Sequence, residues 1–146
     1  MLVKTTNSLK SKFDRENLDI QLFCEEFKLW KSKDEHSSRL FGKDSAYTTP
    51  TVNGEKYILR HVHLIPVMDQ KQIDSWYKKF RFKSRKTSNR VLVYVDDNKG
   101  NILLIHILPE PDAHEIAEMK TQKNRETMKG FAAVAEAFIF DGTIKG

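Results

Sequence analysis

Between residues 16 and 33 the apolar positions Leu18, Leu22, Phe23, Phe27 and Trp30 recur at helical spacing and gather on one side, which predicts an amphipathic helix. Asp14 is its expected N-cap, a carboxylate placed to accept from free backbone N–H groups. Across 34–56 the pattern lapses, and Gly42, Pro50 and Gly54 among many Ser and Thr predict a long loop. Alternation returns over 57–65, a strand ended by Pro66. Ile58, Arg60, Val62 and Leu64 share one of its faces, and Tyr57, Leu59, His61, His63 and Ile65 share the other.

A short helix is expected over 69–80, carrying Ile73, Trp76, Tyr77 and Phe80. Two apolar arms, 91–95 and 102–108, flank Asp96-Asp97-Asn98-Lys99-Gly100-Asn101, a β-hairpin signal. The second arm is apolar on both faces except at His106, so it is expected as a central strand. Residues 112–140 read as mostly helical, with Asp112 as a cap, Gly130 as a weak point, and Phe131, Val134 and Phe138 as a packing stripe. The order helix, strand, short helix, hairpin, helix predicts an α+β fold, a small antiparallel β-sheet flanked by helices. With no repeat and no low-complexity linker, residues 1–146 are expected to form one domain.

Charge changes this picture more than composition does. The net charge is +5, yet Lys78, Lys79, Arg81, Lys83, Arg85, Lys86 and Arg90 follow one another with no acid between them. Removing those seven from the 25 Lys and Arg leaves 18 against 20 acids, so the basicity is local and suits a polyanionic partner. Trp76, Tyr77, Phe80 and Phe82 interleave with the cations and offer stacking surfaces for bases, although Trp76 and Phe80 fall at core spacing. The lone Cys24 excludes an internal disulfide and zinc-ribbon chemistry, and its apolar neighbours predict a buried structural thiol. The first residues lack the apolar run of a signal peptide, and no stretch is long enough to span a membrane, so a cytoplasmic protein is expected.

His61 and His63 are the candidates for proton transfer. At i and i+2 of a strand they project from one face, about 6.6–7 Å apart, enough to bracket a phosphate. The bland alternative is a pair of structural polar residues on a half-buried strand. The spacing also suits a metal, but no third ligand among His36, His106 and His114 has sequence support, so no metal or other cofactor is expected. Arg85, Lys86 and Arg90 are expected to hold phosphate, with Lys78, Lys79, Arg81 and Lys83 meeting RNA backbone. Thr87 and Ser88 are possible phosphate donors, Tyr94 is expected to reach the site from the hairpin, and Lys43, Asp44 and Tyr47 to contact RNA unless Phe41 merely anchors their loop.

Four blocks resemble the YafO family of toxins from type II toxin–antitoxin pairs. Leu40-Phe41-Gly42-Lys43-Asp44-Ser45-Ala46-Tyr47 is similar to that family's FGRDALY block, and Arg60-His61-Val62-His63-Leu64 to a strand ending in HIHL. Lys86-Thr87-Ser88-Asn89-Arg90-Val91-Leu92-Val93-Tyr94 resembles RTSDxxLVY, with Lys86 for Arg and Asn89 for Asp. Residues 101–138 resemble an LLIAIL strand, a PEPH turn and a helix containing AEAF, with His106 where the strand has Ala. The resemblance implies a RelE-like toxin fold, ribosome-dependent cleavage of mRNA as a metal-independent endoribonuclease, and an antitoxin partner. Two rival expectations stand beside it: a non-catalytic basic module that blocks translation by binding RNA or the ribosome, and a ParE-like toxin that acts on gyrase.

Overall fold

The computed structural model describes residues 1–146. Its elements are β1 (Leu2–Thr5), α1 (Asn7–Arg15), α2 (Ile20–Lys31), β2 (Phe41–Ala46), β3 (Leu59–Leu64), α3 (Gln70–Arg81), β4 (Val91–Asp96), β5 (Asn101–Leu108), α4 (Ala113–Glu118) and α5 (Gln122–Asp141). The five strands form one sheet in the order β1-β5-β4-β3-β2. Strands β2 to β5 are antiparallel, and β1 adds a parallel edge beside β5. The α+β expectation holds, as does the central place of β5, which lies between β1 and β4.

The sheet separates two cores. On one side Leu9, Phe13, Phe27 and Trp30 of α1 and α2 pack on Phe41, Val62, Leu64, Leu92, Tyr94, Leu104 and Ile107. On the other, Met128, Ala132, Ala135 and Phe138 of α5 pack on Leu59, Val91, Val93, Val95, Leu103 and Ile105. Period-2 alternation along β4 sends its side chains to the two cores in turn.

Several sequence expectations differ from the structure. The helix expected over 16–33 begins only at Ile20, capped by Asp19, which accepts from the Gln21 and Leu22 N–H groups; Asp14 lies inside a separate helix, α1. Leu18, ahead of α2, is 52% exposed, and Leu22 is 59% exposed because the inward face of α2 follows Phe23, Phe27 and Trp30. The expected loop over 34–56 contains β2, hidden by a bulge between Phe41 and Asp44 that breaks alternation. The expected helix over 112–140 is two helices, parted where Met119 turns left-handed at φ 58° and Thr121 caps α5. Asp112 makes no side-chain cap bond, and Gly130 lies within α5 without interrupting it.

Gly42 fixes how the basic segment meets the sheet. A Cβ there would lie 2.3 Å from the Lys86 carbonyl oxygen and 2.9 Å from the Trp76 ring, so only glycine permits the approach. Next to it the Lys43 N–H donates to that same Lys86 carbonyl at 2.9 Å. Residues 85–88 are thereby pinned along the bulged start of β2.

Candidate active site

Register places the histidines. His61 of β3 lies opposite Ser45 of β2 and Val93 of β4, and His63 lies opposite Val91. Both therefore share the α5 side of the sheet with Leu59, Val91 and Val93, and both are half-buried. The His61 ring stacks on Tyr47 at 4.1 Å and 18°, its Nε2 is 3.1 Å from Ser45 Oγ, and its Nδ1 is buried without a protein partner. Burial, helped by the charges of His63, Lys43 and Arg60 and opposed by Asp44, pushes its pKa down to about 4.

His63 is held differently. Its Nδ1 lies 2.9 Å from the Ser88 N–H nitrogen and 2.6 Å from the Ser88 carbonyl oxygen. Its Nε2 makes no hydrogen bond and is not buried. Burial lowers its pKa, the Ser88 backbone raises it, and the charges of Lys43 and His114 lower it further. The two rings meet edge-on at 5.9 Å. Lys43, half-buried in the bulge, is thus the cation within electrostatic reach of both imidazoles.

The basic segment forms a cationic rim of its own, joined to His63 through Ser88. Lys78, Arg81, Lys83 and Thr87 are exposed and Lys79 is half-buried; none of these four cations enters an ion pair. Phe82 is 69% exposed among them and Tyr77 40%, whereas Trp76 is core and its indole N–H donates to the Arg39 carbonyl at 2.6 Å. Ser88 Oγ donates to the Leu64 carbonyl at 2.5 Å, which ties the end of the segment to β3. Arg85 is exposed but lays its fork on Glu35, at 2.7 and 3.0 Å.

Three residues expected at the site are placed elsewhere. Lys86 is 1% exposed, with Nζ 3.2 Å from the Glu35 carbonyl and lying 5.7 and 5.2 Å from the Trp76 and Phe80 ring centroids. Burial lowers its pKa, and the Glu35 carbonyl and the two rings enclose its ammonium. Tyr94 is fully buried on the opposite side of the sheet, since even positions of β4 face α2. Its hydroxyl donates to Asp44 at 2.6 Å and accepts from Lys31 and Arg60 at 2.9 and 3.1 Å; burial raises its pKa. Arg90 is half-buried on that opposite side too, donating to the Ile65 carbonyl at 3.0 Å beside Lys12, Glu16 and Glu110.

Sequence reasoning missed Ser45 as the partner of His61 and Glu35 as that of Arg85. Ser45 and Tyr47 do alternate at i and i+2 in a block already singled out, which was the available signal. No group of three or more His, Cys, Asp or Glu converges as a metal cluster. No helix is long and apolar enough to cross a membrane.

The geometry comes to an α+β domain with two histidines on one sheet face and a segment of unpaired cations tied to His63 through Ser88. The family model described as Toxin YafO, type II toxin–antitoxin system, matches residues 28–140, a span that takes in all the candidate site residues. The class is therefore a toxin of a type II toxin–antitoxin system. The chain belongs to the YafO toxin family. No curated protein and no solved structure matches it.

Proposed function

We propose that this toxin is an endoribonuclease that cleaves mRNA on the ribosome and thereby stops translation. The observation that carries the reading is the half-buried His61–His63 pair with Lys43, joined through Ser88 to the segment that carries the unpaired cations Lys78, Lys79, Arg81 and Lys83. Cleavage without a metal requires a base for the ribose 2′-OH, positive charge at the phosphate and an acid for the leaving 5′-oxygen. Imidazole serves either proton-transfer role, and Lys43 supplies charge beside it. Exposed Phe82 and Tyr77 offer faces on which bases stack.

The partners on this reading are mRNA in the ribosome's cytoplasmic setting and a cognate antitoxin whose acidic surface covers the rim and the histidine face. The test is primer extension on a reporter mRNA, with and without ribosomes, after induction of wild type and of His63→Ala. New 5′ ends with wild type alone support cleavage. Arrested translation with intact mRNA favours the non-catalytic basic module instead.

A further inference from the structure

We infer that the two histidines are not an acid–base pair: His63 alone transfers protons, through Nε2, while His61 is a positioning residue that presents no nitrogen to substrate. The inference rests on the endonuclease reading and assigns the roles within its site.

A group that moves a proton must bring a free nitrogen within about 2.6–3.2 Å of the reacting oxygen. His61 has none to bring. Its Nε2 is engaged by Ser45 Oγ, its Nδ1 is buried, and one ring face is covered by Tyr47. Reaching a ribose or phosphate would require breaking the Ser45 contact and unstacking the ring. His63 shows the opposite arrangement. Ser88 fixes its Nδ1 from the backbone and leaves Nε2 open, the usual way in which one ring nitrogen orients the other for work.

The charged and titratable groups around the pair come from three elements: Lys43 and Asp44 of β2, Arg60 of β3, and His114 of α4, with Tyr47 stacked just beyond β2. Arg60 and Asp44 engage each other and Tyr94 on the other side of the sheet. None of them is a second free imidazole beside His63 except His114, which pairs with Glu118 at 3.0 Å. One imidazole must then do both jobs. His63 Nε2 takes the 2′-OH proton as O2′ bonds to phosphorus, and returns that proton to O5′ as the P–O5′ bond breaks. The products are a 2′,3′-cyclic phosphate and a 5′-hydroxyl, with His63 regenerated neutral.

Two measurements test the assignment. Diethylpyrocarbonate acylates accessible neutral imidazole nitrogens, so brief treatment at pH 7 followed by peptide mass mapping should label His63 and His114 and spare His61. Labelling of His61 at the rate of His63 overturns the assignment, whatever the protein's activity. Single-turnover cleavage from pH 4.5 to 9 should give one rising limb for wild type. His63→Ala should lose about 10²–10⁴-fold. His61→Ala should lose activity with little change in melting temperature, and His61→Phe should restore it to within about tenfold, because ring shape rather than imidazole chemistry is needed. A bell-shaped wild-type profile, or a folded His61→Phe as inactive as His63→Ala, overturns the division of roles. Should His61→Phe not fold, the labelling pattern and the wild-type profile still decide. Absence of any wild-type cleavage sinks the endonuclease reading itself, and the proton-transfer role of His63 with it.

Discussion

Asp44 illustrates how a single carboxylate organises this molecule. It pairs with Lys31 at 2.8 Å and Arg60 at 3.3 Å and accepts from Tyr94, joining α2, β2, β3 and β4. Asp44→Ala leaves two partly buried cations facing each other without a counter-charge. The expected loss is about 2–3 kcal/mol in urea unfolding, less than for a fully buried pair because both cations keep some solvent. Tyr94→Phe should likewise lower stability, by about 1 kcal/mol, while leaving cleavage intact, since the hydroxyl lies on the other side of the sheet from His63. Lys86→Met should preserve RNA affinity if Lys86 is a tether; a fall in affinity as large as that of Lys83→Gln would mean the lysine leaves its aromatic cage on binding.

At the scale of elements, the basic segment is the one with a direct thermodynamic signature. Binding to single-stranded RNA releases about 0.7 counterion per phosphate neutralised, so contacts by the four unpaired cations Lys78, Lys79, Arg81 and Lys83 imply a log–log salt slope near −3. Titration at several salt concentrations measures it, and a flat dependence would remove the rim from the binding surface. Gly42→Ala should weaken folding by about 1–3 kcal/mol and disturb Lys43, because the added methyl meets the Lys86 carbonyl.

Legibility in the sequence follows the same division. The hairpin was readable because two apolar runs flank a polar turn, β3 because Leu59, Val62 and Leu64 stand between polar residues ahead of Pro66, and α3 because Asp69 caps a helical stripe. Strand β2 was not, since a bulge and a glycine replace the alternation that marks a strand, and β1 is only four residues long. The side that Tyr94 faces was not readable, because phase along β4 reveals that it opposes Val93 but not which core each enters. The burial of Lys86 was not readable either, because it depends on Trp76 and Phe80 closing over it, which no local pattern encodes.

For the whole molecule, buried imidazoles make stability depend on pH. An ordinary histidine takes its proton near pH 6.5, but His61 resists it down to about 4, and His63 and His106 are also lowered by burial. As pH falls from 6.5 the unfolded chain binds more protons than the folded one, so stability present above 6.5 is lost on acidification toward 4. Melting temperature should be flat near neutrality and decline between pH 6.5 and 4.5, and His61→Phe should flatten part of that decline. An acidic antitoxin seated on the rim should bind less tightly to a Lys83→Glu variant; undiminished affinity would place the inhibitor elsewhere on the toxin.

The central claim, that this family member cleaves RNA with His63, is tested most directly by single-turnover cleavage of ribosome-bound mRNA by His63→Ala alongside its thermal melt. The expected result is a folded protein with near wild-type ribosome affinity and cleavage reduced by about 10²–10⁴-fold. A folded variant that cleaves at the wild-type rate would contradict it.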